Sequence, residues 1–208
     1  MKLSFEEWIK FVFDHPIQET PWYWDTSLDT FWDDWREDID PEQQLTYVTK
    51  LFENAASLLL GRFSPEQIDQ GLTMLLSGPD DFAIRELVWS HKLPLSIRVQ
   101  CITSMVRLFR DVFSQVPIKH ACFMWWDELR EWQHQEDRDP QTQEVILTAL
   151  EQILKIPSRD CQMSALHGLG HLSHPRRGTI IQHYLQHTST LDDELKQYAE
   201  IAMAGEVL

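Results

Sequence analysis

Basic residues are scarce in this chain: 18 lysines and arginines stand against 33 aspartates and glutamates, giving a formal net charge of −15 and an isoelectric point near 4.9. A surface of that sign repels a phosphate backbone or an anionic lipid face, so nucleic acid and membranes are excluded as general partners. Cysteine is scarce as well. Cys101, Cys122 and Cys161 are odd in number, widely spaced and each set in an apolar stretch. That excludes a disulfide-stapled fold and points to buried free thiols in a reducing compartment. No apolar run approaches the roughly 18 residues that cross a bilayer. Met1–Asp14 lacks the basic start and long apolar run of a signal peptide, so a soluble cytoplasmic protein is expected. Phosphate-binding loops, a nucleophile elbow and paired-cysteine zinc spacings are all missing. Gly168 and Gly170 fall inside a helical pattern rather than after a strand, which suits close helix packing and not a phosphate cradle.

What is present is a core and a way of parsing it. The 208 residues are 43% apolar, ample for one buried core. The ten prolines lie between apolar-periodic segments and not within them. Asp40-Pro41 and Ser64-Pro65 each place a capping side chain before a helix-starting proline, with Gln43 and Gln67 three residues beyond the cap. Ser4 and Glu7 repeat the capping box without the proline. Helices are predicted at about 4–14, 42–60, 65–77, 80–91, 95–115, 121–135, 141–155, 158–173, 176–188 and 192–205. No segment alternates strictly enough to compete as a strand, so the class is all-α.

The C-terminal part also repeats itself. Sliding Ser158–Ser173 onto Asp192–Val207 pairs Cys161 with Leu195, Ala165 with Ala199, Gly168 with Ala202 and Leu169 with Met203. The helix from Leu95 shows the same face through Ile97, Arg98, Cys101, Ser104, Met105 and Leu108. Ser158–Pro175 resembles the second helix of a HEAT repeat, and Thr179–Gln186 followed by Leu191–Lys196 resembles the first helix of the next repeat and its acidic turn. Arg98 stands where HEAT-like second helices often carry an arginine; Gln162 and Lys196 depart from it. The resemblance covers about 65 C-terminal residues and, more weakly, Pro79–Phe113. It implies a right-handed stack of antiparallel helix pairs, a HEAT or armadillo-like α-solenoid, as a single domain over residues 1–208. Residues 1–60 would form a divergent Trp-rich cap and residues 61–208 the HEAT-like pairs. An irregular helical bundle is the alternative.

Two concentrations of unusual residues mark candidate sites. Between Asp14 and Glu42 there are ten acids against one base, Arg36, interleaved with Trp22, Tyr23, Trp24, Phe31, Trp32 and Trp35. Trp22, Trp24, Asp29, Asp33 and Asp34 could offer a cationic partner ring faces and carboxylates together. Alternatively, the rings cap the first helices and the acids are simply solvated. The second concentration is histidine: five of nine lie between His167 and His187. His167 and His171, one turn apart and opposite the Cys161/Ala165/Leu169 arc, are expected on an exposed side. They could chelate a metal or ligand, with His183 and His187 as a second pair, or form a pH-sensitive polar face. HEAT-like di-iron enzymes use His-Glu dipeptides, and this chain has none. Asp127, Glu128 and Glu131 with Arg130, beside Trp125, Trp126 and Trp132, are read as an amphipathic helix with a charged outer face, a carboxylate catalytic pair being the alternative.

The function expected from these features is a non-catalytic protein–protein interaction module that binds a basic protein, without cofactor or resident metal. A narrower alternative is an immunity or antitoxin-type protein that masks a cationic toxin. A further alternative is a metal-dependent enzyme or sensor built on the C-terminal histidines.

Overall fold

A computed structural model describes residues 3–24, 39–78, 83–118, 120–129, 139–188 and 191–207. Among these residues the regular structure is helical and no β-strand is present. The chain enters α1 (Phe5–Phe13) through the predicted capping box: Ser4 Oγ accepts from the Glu7 N–H, and the Glu7 carboxylate accepts from the Ser4 N–H. After a short 3₁₀ turn (Trp22–Trp24) come α2 (Pro41–Glu53), capped by Asp40, and the brief α3 (Ala55–Leu59). The helix α4 (Pro65–Ser77) begins with the Ser64/Gln67 box and a proline in its first turn.

The helix expected over 80–91 is much shorter. Among the described residues it is only α5 (Ile84–Leu87), because the chain turns repeatedly before Pro94. Pro94 then opens α6 (Leu95–Leu108), which runs on into a π-helical turn (Phe109–Phe113). The remaining helices are α7 (His120–Glu128), α8 (Pro140–Ile153), α9 (Arg159–His171), α10 (Arg177–His187) and α11 (Asp193–Ala204). Besides Ser4 and Ser64, the side chains of Asp40, Asp139, Ser158 and Asp192 each accept a first-turn backbone N–H.

Helices pack in two series. In one, α1 lies on α4, α4 on α7, α7 on α9 and α9 on α11; in the other, α2 lies on α6 and α6 on α8. The buried apolar side chains form one continuous cluster from Trp8 to Ala202. The three cysteines are in it as free thiols.

The helix that matters most for the site is α9, which is covered by α7, α8 and α11. Cys161 and every residue from Ser164 to Gly170 are buried. Its glycine is required by closeness: a methyl group at Gly168 would sit 2.6 Å from Trp126 Cβ and 2.8 Å from Leu150 Cδ2. Bare backbone there lets α7 and α8 approach α9 from two directions at once.

Candidate functional site

The enclosure of α9 changes what its histidines can be. The expected exposed face does not exist at His167, whose side chain is 1% exposed, and His171 is 11% exposed. The stripe Cys161/Ala165/Leu169 is buried as expected, but α7 and α11 cover the opposite side too. Periodicity within one helix shows the preferred buried arc and cannot show that a second layer covers the other.

Asp127, from the last turn of α7, points the same way. Instead of lying on a charged outer face, its Oδ1 is 3.2 Å from His171 Nε2 and 3.9 Å from His167 Nε2. The two histidine Nε2 atoms are 3.2 Å apart. On the other side of its ring, His167 Nδ1 lies 2.6 Å from the Tyr198 hydroxyl on α11. Phe123 of α7 packs on the His167 ring with centroids 4.7 Å apart. Burial, and secondarily the Asp127 charge, push the Tyr198 phenol up to about 12. That group is therefore a neutral hydroxyl at physiological pH, able to accept or donate. The network is satisfied when His171 Nε2–H donates to Asp127 and His167 Nδ1–H donates to Tyr198, leaving the His167 Nε2 lone pair facing the other two groups.

Phe123 and Tyr198 also line a cleft of about 420 Å³ between α7, α9 and α11. Its apolar wall is Cys122, Phe123 and Met163; its polar rim is Arg159, Asp160 and Glu194. Phe123 is among the few exposed large apolar side chains. The Arg159 guanidinium donates to the carboxylates of Asp192, at 3.1 Å, and Glu194, which offset its charge. The Cys122 thiol faces Cys161, and this contact together with burial pushes its pKa up.

The other expected site residues are dispersed. His183 and His187 stack on each other, centroids 4.0 Å apart, on the exposed side of α10, and do not join His167 and His171. Trp22, expected on a binding surface, is buried and stacks on the His15 ring at 3.8 Å, with Phe11 edge-on at 5.2 Å. This ring packs on the end of α1 and the residues just after it. Its neighbour Trp24 is 61% exposed. Asp29, Asp33 and Asp34, with Trp32 and Trp35, lie outside the described residues, as do Arg130 and Glu131. Trp125 and Trp126 point inward as expected, and Glu128 pairs with Arg85.

Reading the sequence alone missed Asp127 and Tyr198. Neither has a local signal that ties it to the histidines, because they come from helices before and after α9. Comparison of the chain with protein-family models, curated proteins and solved structures finds no match in any of the three.

Proposed function

We propose that this chain is a non-catalytic, HEAT-like helical-repeat interaction protein that binds a basic protein partner at the α7/α9/α11 cleft. The observation that carries this reading is an apolar wall rimmed by Asp160, Glu194 and Arg159, the last paired with Glu194, on a molecule of net charge −15. A lysine or arginine entering there can lay its alkyl stem on Phe123 and Met163 and direct its charge to the carboxylates. The surrounding acidic field would steer such a partner in before contact. The two series of helix contacts, α1–α4–α7–α9–α11 and α2–α6–α8, support a stack of helix pairs with a free surface along it. The acidic N-terminal stretch with Trp24, Asp29, Asp33 and Asp34 is the second candidate binding segment in this reading.

The test is capture by immobilised tag-free protein at low salt, then kinetics with the protein that a salt step releases. Asp160→Lys and Phe123→Ala, each checked for native helicity, should slow association or raise dissociation at least about tenfold, and Asp160→Lys should flatten the salt dependence. Loss with Asp33→Lys/Asp34→Lys instead would move the interface to the N-terminal stretch. Unchanged kinetics and salt slope in all three variants, or release of no basic protein, would overturn the proposal.

A further inference from the structure

We propose that Asp127, His167 and His171 form a binding site for a single divalent first-row transition-metal ion, with zinc the best-matched. None of its three donors lines the cleft, although Tyr198 borders both, and the assignment does not depend on the partner reading. The three donor atoms define a triangle with edges of 3.2, 3.2 and 3.9 Å, and all three corners lie about 2.0 Å from one common point. Zinc bonds to imidazole nitrogen and carboxylate oxygen are about 2.0–2.2 Å long. An ion slightly above that plane would keep these bonds and leave one position for water. Two imidazoles and a carboxylate are a donor set for zinc and its neighbours in the series, whereas magnesium prefers an octahedron of oxygens.

The surroundings favour a built site over a chance meeting. The two histidines are four residues apart on α9, so one helical turn places both rings on one side. Asp127 comes from α7, the helix packed tightly against α9 at Gly168, so the donors are held by two elements with little freedom to separate. Tyr198, on a third helix, lies 2.6 Å from His167 Nδ1; in the tautomer in which Nδ1–H donates to that hydroxyl, Nε2 is left to ligate, and an outer partner of this kind typically fixes the ligating tautomer. Access lies on the Asp127 side, where that side chain is 21% exposed. Bound metal would take the place of the proton between His171 and Asp127, His171 shifting to its Nδ1–H tautomer, and would join α7 to α9 through coordinate bonds.

Tag-free protein stripped with a chelator and dialysed would be titrated with Zn²⁺ by calorimetry and with Co²⁺ by visible absorption. One ion per chain is expected, with the intense visible bands of four-coordinate Co²⁺. His171→Ala and Asp127→Asn alter partly exposed positions and should retain the native circular dichroism while losing at least about 100-fold in affinity. Tyr198→Phe should lose about tenfold, the range for removing an outer partner. His183→Ala/His187→Ala should bind as the wild type does, and Mg²⁺ should not bind. Wild-type Zn²⁺ affinity in both His171→Ala and Asp127→Asn would overturn the assignment. So would the absence of Zn²⁺ binding, or a Co²⁺ spectrum unchanged from that of the hydrated ion, at about 100 µM metal.

Discussion

Arg98→Ala is expected to lower the unfolding free energy by about 3–5 kcal/mol, the usual cost of removing one partner from a buried ion pair. Arg98 rises from α6 with its side chain 5% exposed, and Nη1 donates to Asp139 Oδ2 at 2.9 Å. The same nitrogen reaches Thr142 Oγ1 at 2.9 Å and the Val88 carbonyl at 3.2 Å. Asp139 in turn caps α8, accepting from the Gln141 N–H at 3.0 Å and from the Thr142 hydroxyl at 2.6 Å. One guanidinium thus connects the loop after α5, the body of α6 and the start of α8. Its removal leaves a carboxylate, 9% exposed, with its countercharge gone.

The same pair sets an acid limit on stability. Burial alone would raise the Asp139 pKa, but hydrogen bonds from Thr142, Arg98 and the backbone hold it at about 2. Its folded value lies below the unfolded value of about 3.9. The contribution is therefore fully present above pH about 4 and is lost as pH falls towards 2, a change of about 2 kcal/mol. Denaturant melts at a series of pH values test both statements. Wild-type stability should fall across that window, and Arg98→Ala should be both weaker at neutral pH and flatter below pH about 4. A variant within about 0.5 kcal/mol of wild type with an unchanged acid slope would show that the pair does not hold α6 to α8.

Trp125→Ala is expected to cost about 3–5 kcal/mol, as large-to-small changes of fully buried aromatics do. Trp125 of α7 is 0% exposed, with the rings of Phe52, Phe113 and Phe109 edge-on at 5.6, 5.8 and 6.2 Å. Its indole N–H donates to the Met105 sulfur at 3.4 Å. The side chain therefore joins α2, α6, the π-helical turn and α7, and its loss opens a cavity that none of the four can fill without moving. Trp24→Ala provides the contrast, since that ring is 61% exposed and should change stability by no more than about 0.5 kcal/mol. Urea unfolding of the two variants compares them directly; equal stabilities would place the centre of the core elsewhere.

Helix positions were legible because their signals are local. Ser4, Asp40 and Ser64 cap as their neighbours in sequence indicate, and each proline at a first turn marks a start. The small residues of α9 also announced close packing, which Gly168 shows against Trp126. What was not legible were relations between helices. Whether the side of α9 carrying His167 meets water depends on α7 and α11, and no spacing within α9 records them. Asp127 looked like one more acid on a charged face because only the fold places it opposite His171. Trp22 and Trp24 stand in the same stretch of sequence, yet one ring is buried, packed on Phe11 and His15, and the other is exposed.

The enclosure of α9 also has a kinetic side. Amide protons exchange with solvent only when their hydrogen bonds open, and a helix covered on several sides cannot fray there independently of its neighbours. The amides of Ser164–Gly170 should therefore be the slowest to take up deuterium, at a rate governed by global unfolding, whereas those of the exposed parts of α10 should exchange through small local openings. Hydrogen exchange along α9 would thus read the stability of the whole molecule from within a single peptide.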